Sequence, residues 1–318
     1  MQITNHSNLP QSLVNACGTE KHNAPGCVSA TTLIQGTKKI LLSDRHWDEM
    51  SEDVSDRIWA IEGTVFHKVL EENNPGAFTE ERFELKVGSK TVTGQVDLYD
   101  MEHKMIVDYK RVSVYKILRG DFEEWRKQGL IYAYLLKQAG LEVKKCQFLG
   151  LIRDWKKSEA KRNPDYPRTA VYRYEFDVTE KDLEEIKAFI EMKVADIEAN
   201  ENKPDDEIPE CSESERWSHQ TIWAVMKKGR KSAVNARLTD RAEAEAMAAT
   251  IDGGYVEERK GASARCEDYC SCCSWCKFYK ENCQNGGKNN GESATVEDGG
   301  RLKGVTCVNG ELLVNELF

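Results

Sequence analysis

The chain has 318 residues, 40% hydrophobic and 31% charged, with a net charge of −9. That is an ordinary composition for a chain with room for one sizeable core plus an appendage. No apolar run approaches the roughly 20 residues that span a bilayer, and Met1–Pro10 lacks the basic-then-apolar order of a signal peptide. A cytoplasmic protein with no membrane partner is expected. The acidic balance excludes a polyanion binder that works by bulk attraction. It leaves room for a local basic groove, which Arg111, Lys116, Arg119, Arg126 and Lys127 could line.

Residues 1–28 are polar and without periodicity, and they carry Cys17 and Cys27. A short helix is expected over Ser29–Lys39. A stronger one covers Ser55–Glu72, where Ile58, Ile61, Val65, Phe66 and Val69 recur at helical spacing and Asn73-Asn74-Pro75-Gly76 stops it. Strands follow at Arg82–Val87, Thr91–Leu98 and Met105–Lys110, the first two separated by Gly88-Ser89-Lys90. A helix over Phe122–Ala139 ends at Gly140. Strands at Lys145–Arg153 and Val171–Phe176 flank a charged, proline-bearing loop, Asp154–Arg168. Thr179 caps a long helix to about Ala199, with Glu180, Asp182 and Glu184 in its first turn. Asn202–Pro209 reads as an acidic linker.

Beyond it, Glu215–Lys228 reads as strand or helix and carries Trp217 and Trp223. Asp240–Thr250 is an alanine-rich helix and Tyr255–Arg259 a short strand. The run Lys227-Lys228-Gly229-Arg230-Lys231 is open to two readings, contact with a nucleic-acid strand or plain solvated surface. Residues 284–300 form a flexible linker, and Val308-Asn309-Gly310-Glu311 is a hairpin turn. The fold class is therefore α/β (α+β), a central mixed sheet flanked by helices. The organisation is an N-terminal segment 1–28, a core 29–204, an accessory region 205–262, a cysteine-rich segment 263–284, and a linker with hairpin 285–318.

The most informative stretch is Gly94-Gln95-Val96-Asp97 followed by Ile106-Val107-Asp108-Tyr109-Lys110. A turn centred on Glu102 and His103 sets Asp97 opposite Asp108, and residues two apart share a face, so Asp97, Asp108 and Lys110 converge. Adjacent carboxylates repel unless a cation lies between them, and all-oxygen ligands suit Mg2+ or Mn2+. A lysine beside them orients a water or stabilises charge developing on a phosphate. Alone, such an Asp–Lys pair reads equally well as a surface salt bridge. Upstream, Gly63 lies within a helix, where it could permit close backbone approach, and His67 shares a helical face with Glu71. Downstream, Gln128 and Tyr132 stand four apart on a helix, with Tyr134 nearby. Taken alone, each of these pairs is ordinary surface.

In order, Gly-x3-His, Gly-x2-Asp, Asp-x-Lys and Gln-x3-Tyr resemble the motifs of the PD-(D/E)xK nuclease superfamily. The match is to the RecB-like branch that includes CRISPR-adaptation exonucleases and phage exonucleases. It covers about residues 29–200. The resemblance implies a restriction-endonuclease-like core and a metal-dependent DNA exonuclease of phage or bacterial recombination or end processing. It implies a DNA substrate with single-stranded ends, recombination proteins as partners, and the host cytoplasm if the chain is phage-encoded. By the same resemblance His67, Asp97 and Asp108 are metal ligands, with the Tyr109 carbonyl a fourth. Lys110 is the catalytic lysine, and Gln128 and Tyr132 position the DNA strand. A second cation would draw on Glu71 or Glu81. Val96 stands where the superfamily's name has a proline, as in many members of this branch.

Six of the eleven cysteines, Cys266, Cys270, Cys272, Cys273, Cys276 and Cys283, fall within one short segment, and such thiolate sets select zinc or an iron–sulfur cluster. Cys146 and Cys211 read as small hydrophobes. Cys270, Cys273 and Cys276 have compact cluster-like spacing. Cys273-x2-Cys276-x6-Cys283 resembles the iron–sulfur staple of RecB-like exonucleases, in which a cysteine from before the nuclease core completes the set. That resemblance implies a [4Fe–4S] cluster, zinc being the alternative, on Cys270, Cys273, Cys276 and Cys283. Cys17, Cys27, Cys266 and Cys272 are further candidates. Two competing readings remain, a catalytically inactive or structure-specific nucleic-acid-binding protein with a cysteine–metal centre, and an endonuclease of the same fold.

Overall fold

The structure, a computed structural model, describes residues 1–18, 23–73, 78–284, 305–308 and 311–314. The chain divides at Pro204 into two compact units. In chain order the first contains β1 (Gln2–Thr4), α1 (Gln11–Ala16), β2 (Cys27–Ser29), α2 (Ala30–Leu33), α3 (Thr37–Arg45), β3 (Ser51–Asp53) and α4 (Val54–Glu72). There follow β4 (Phe78–Val87), β5 (Lys90–Asp100), β6 (Met105–Val112), α5 (Val114–Arg119), α6 (Glu123–Gln138), β7 (Lys145–Ile152), α7 (Lys157–Arg162), β8 (Val171–Asp177) and α8 (Glu180–Asn200).

The central sheet has six strands in the order β2-β5-β6-β7-β8, with β4 on the other side of β5. β2 and β7 run parallel to β5 and β6 respectively, and the remaining pairings are antiparallel, so the sheet is mixed as expected. α6 lies across the sheet from β4 to β7 and packs on α8. Val92, Val96, Ile106 and Phe148 of the sheet meet Ile131, Leu135 and Leu136 of α6, and all are fully buried, as is Ile190 of α8. Burying one such side chain contributes roughly 1.5–3 kcal/mol. Trp125 of α6 stacks on Phe148 with centroids 5.6 Å apart.

Local chemistry explains the boundaries. The α8 start is a full capping box, Thr179 and Asp182 each hydrogen-bonding the other's backbone N–H. The helix expected over Ser29–Lys39 is two: Ser29 caps α2, and Gly36 stands at the N-terminus of α3, which runs on to Arg45. The expected loop Asp154–Arg168 contains α7, with the Trp155 indole donating to the Pro167 carbonyl (2.8 Å) and the Lys156 N–H to the Tyr166 hydroxyl (2.9 Å).

The second unit contains β9 (Ser218–His219), β10 (Ile222–Lys227), α9 (Arg241–Ala249), β11 (Gly254–Arg259), β12 (Ala262–Ser263) and α10 (Lys277–Asn282). β10 and β11 pair antiparallel, and α9 closes a small core in which Val225, Ala244 and Ala248 are buried beside Trp223, Leu238, Ile251 and Val256. The segment Glu215–Lys228 thus resolves as a turn through Trp217 followed by two strands, β9 and β10. The expected linker 284–300 lies, beyond Gln284, outside the described residues. The final hairpin is β13 (Val305–Val308) with β14 (Glu311–Val314), Val308 pairing with Glu311 as its turn sequence required. Among the described residues no helix is long and apolar enough to cross a membrane.

Candidate active site

β5 changes partner along its length. Cys27–Ser29 of β2 pair with Thr91–Thr93, and β6 pairs with Leu98–Asp100, leaving Gly94–Asp97 without a strand on that side among the described residues. Glycine is required at the start of this gap. A Cβ on Gly94 would lie 2.7 Å from Leu135 Cδ1 and 2.8 Å from Tyr132 Cδ1, so α6 could not approach β5 as closely. The β5–β6 ladder ends at Leu98–Val107, and one further step sets Asp97 opposite Asp108, as the sequence reading placed them. Instead of extending the ladder, Asp97 Oδ2 accepts from the Tyr109 N–H at 2.7 Å.

Asp108 is buried. Lys110 Nζ lies 2.8 Å from its Oδ1 and forms an ion pair with it. Its Oδ2 accepts from Gln128 Nε2 at 3.2 Å, and the same nitrogen lies 2.8 Å from the Tyr132 hydroxyl. Burial drives the Asp108 pKa above the usual carboxylate range and the Asp97 charge adds to this, with Lys110 pulling the other way. Burial likewise keeps the Tyr132 phenol protonated. Gln128 and Tyr132 are therefore not ordinary surface. They form a buried bracket that holds one oxygen of Asp108.

His67 Nδ1 stands 3.3 Å from Asp97 Oδ1 and 3.3 Å from Glu80 Oε1. Hydrogen bonding to Asp97, with the charges of Asp97 and Glu80, raises its pKa to about 9 against the cost of burial. His67, Glu80 and Asp97 bring three ligand atoms within 4.8 Å of one another, the one such group among the described residues. Glu80 was not among the sequence candidates, which took Glu71 or Glu81. β4 pairs Thr79 with Leu98 and Glu81 with Val96, so Glu80 falls opposite Asp97. Its φ of 52° is a left-handed backbone that costs a non-glycine residue roughly 1–2 kcal/mol. Strand alternation sends Glu81 to the other face, whereas Glu71 lines the same cavity as His67. The available signal was the strand phase: counting back from the Asp97 register selects position 80.

These groups line one cavity of about 770 Å³, whose wall also includes Lys68 and Arg82. Gly63 borders it too, but a Cβ there would meet nothing within 4 Å, so the expected close backbone approach is absent. The basic cluster after the hairpin is largely engaged: Arg111 pairs with Glu62, Arg126 with Asp182 (2.6 Å) and Lys127 with Glu123 (3.6 Å). Lys116 and Arg119 lie over the rings of Trp125 and Tyr115.

In the second unit the cysteines are neighbours, although among the described residues no three of their sulfurs come within 4.8 Å of one another. Cys270 and Cys272 Sγ atoms are 3.5 Å apart, with Cys272 fully buried. Burial, and then the neighbouring thiols of Cys270, Cys283, Cys211 and Cys276, pushes the Cys266 thiol up to about 12. Burial also raises Cys273 and Cys283. Cys211 thus belongs beside Cys266 rather than with the isolated hydrophobes. Cys146 does behave as one, fully buried, its Sγ 3.5 Å from the Gly129 carbonyl. Cys17 and Cys27 belong to the first unit, one buried after α1 and one opening β2.

No family model and no curated protein matches the chain. Among solved structures it is similar to SSO0001, at 18% identity and a TM-score of 0.41 over 61% of this chain and 85% of that one. It is also similar to an alkaline exonuclease, LHK-Exo, from Laribacter hongkongensis, at 12% identity and 0.36 over 55% of this chain and 89% of that one. A phage-related exonuclease from Haemophilus somnus 129PT follows at 12% identity and 0.27, over 50% and 70%. Likenesses this distant carry no weight on function. The site must be judged on its own chemistry.

Proposed function

We propose that the chain is a divalent-metal-dependent deoxyribonuclease that degrades DNA from its ends. The observation that carries this reading is the buried Asp108, its Oδ1 met by the Lys110 ammonium at 2.8 Å, sharing an open cavity with Asp97, Glu80 and His67. Carboxylates gathered on one wall repel one another unless a cation lies between them. Asp97, Asp108, Glu80 and His67, with the Tyr109 carbonyl, are the residues that would hold Mg2+ or Mn2+. When bound, the ion supplies charge neutralisation at the scissile phosphate and a lower pKa for the attacking water. Gln128 and Tyr132 lock Asp108 in one rotamer. Lys110 presents an ammonium 2.8 Å from the same carboxylate, where it can orient a water and offset charge on the phosphorane-like transition state. Lys68 and Arg82 on the cavity wall are placed to hold neighbouring phosphates.

The cysteine-rich segment is the second part of the proposal. Burial raises the thiols of Cys266, Cys273 and Cys283, and a soft metal that ionises such thiols gains them as ligands. We assign them a [4Fe–4S] centre, drawing on Cys270, Cys273, Cys276 and Cys283 with Cys266 and Cys211 alongside.

Digestion of end-labelled linear duplex and of the same sequence as a closed circle, with Mg2+ or Mn2+, tests the reading. Linear DNA is degraded and circular DNA spared, and Asp108→Asn or Lys110→Ala lowers the rate at least about 100-fold while unfolding stays cooperative. Equal attack on circles would make the enzyme an endonuclease, and full activity in either variant ends the assignment.

A further inference from the structure

We propose that the β10–α9 connection of the second unit is a phosphate-tracking hairpin that grips the nucleic-acid backbone independently of sequence. This deepens the nuclease reading and rests on it only for the choice of nucleic acid as occupant. From Lys227 to Arg237 the chain carries five cations and no carboxylate. Lys227, Lys228, Arg230, Lys231 and Arg237 are all exposed, and none has a carboxylate within 4.0 Å among the described residues. Other arginines of the same unit are paired: Arg216 with Glu210 (3.5 Å), Arg241 with Glu245 (2.7 Å) and Arg259 with Glu257 (2.8 Å). In a chain of net charge −9, leaving five neighbouring cations unpaired costs self-repulsion that an anionic partner relieves.

The cations sit on a fixed frame rather than a loose tail. Past the tip the chain returns along β10, with the Val234 N–H donating to the Val225 carbonyl (2.7 Å) and the Trp223 N–H to the Leu238 carbonyl (2.7 Å). Lys228 N–H donates to the Gly253 carbonyl (2.9 Å), and Gly229 takes the left-handed turn with φ 80°. Val225, buried beneath this hairpin, anchors it to α9. Between the cations there is no aromatic ring to stack on a base and no large apolar wedge for a bilayer, only Gly229, two alanines, Val234, Ser232 and Asn235. Cations on a rigid hairpin without stacking groups suit evenly spaced phosphates.

Each phosphate contact adds about 0.9 to the slope of log affinity against log salt on duplex DNA. The test uses the full chain, chelated so that no hydrolysis occurs, and follows anisotropy of a labelled 30-base-pair duplex between 50 and 300 mM KCl. The variant K227Q/K228Q/R230Q/K231Q is expected to bind at least about tenfold more weakly at 0.1 M and to lose about 2 or more from the slope. Its unfolding curve and its hydrolysis of bis(p-nitrophenyl) phosphate, a diester too small to bridge phosphates, stay as in the parent. An unchanged slope overturns the inference, as does binding to phosphatidylserine vesicles but not to DNA. Loss of slope in a protein that hydrolyses neither substrate would sustain the hairpin's role and overturn the nuclease reading instead.

Discussion

Asp108 is the residue on which the site turns, and its two oxygens have different fates. One is held by Gln128, while the other is paired with the Lys110 ammonium. His67 sets the pH response. Folding raises its pKa from 6.5 to about 9, so its contribution to the stability of the metal-free protein is complete below pH 6.5 and lost as pH rises through about 9. A cation needs the neutral imidazole and competes with that proton. Metal affinity measured by calorimetry should therefore rise roughly tenfold per pH unit between pH 7 and 9, and His67→Asn should flatten the profile. A flat profile in the parent protein would remove His67 from the ligand set. The sequence made Asp97, Asp108 and Lys110 legible because a hairpin of known register fixes which residues face one another. It passed over Glu80, although the turn at Gly88-Ser89 gives the phase that sets position 80 opposite Asp97, because the expected strand began only at Arg82.

At the scale of elements, five of the six sheet strands and α6 were readable from alternation and helical period, whereas β2, three residues long, was not. The division of α2 from α3 and the presence of α7 were not, because short helices depend on a few local hydrogen bonds. Nor did the apolar stripe of α4 foretell its surroundings: Val65 and Val69 remain 57% and 50% exposed. The contact between β5 and α6 is tight at Gly94, where Leu135 and Tyr132 are themselves buried and cannot swing away. Gly94→Ala should cost about 1–3 kcal/mol in urea unfolding and lower nuclease activity by displacing Tyr132 from Gln128. Parent-like stability would show that α6 can move off the sheet freely.

At the scale of the whole molecule, one compact unit carries the acidic cluster and the other carries the cysteine-rich segment for which a metal centre is proposed. Cysteine spacing singled out that segment, but it could not bring in Cys211, which lies far up the chain and comes beside Cys266 only on folding. Protein purified without oxygen should absorb near 400 nm, and removing the iron should unfold the segment Cys266–Cys283 while leaving the sheet intact by circular dichroism. A colourless protein carrying one zinc per chain would replace the cluster with a zinc site. Cys211→Ser should weaken retention of either metal.

Glu80, Asp97, Asp108 and Lys110 all belong to β4, β5 and β6, three consecutive antiparallel strands joined by short turns. Contacts so close in the sequence form early and at little loop-closure cost. If the meander forms first, it gathers its own crowd of negative charge before α4 and α6 bring His67 and Gln128. A divalent cation captured at that moment would act on the order in which the chain folds as well as on the reaction it later performs.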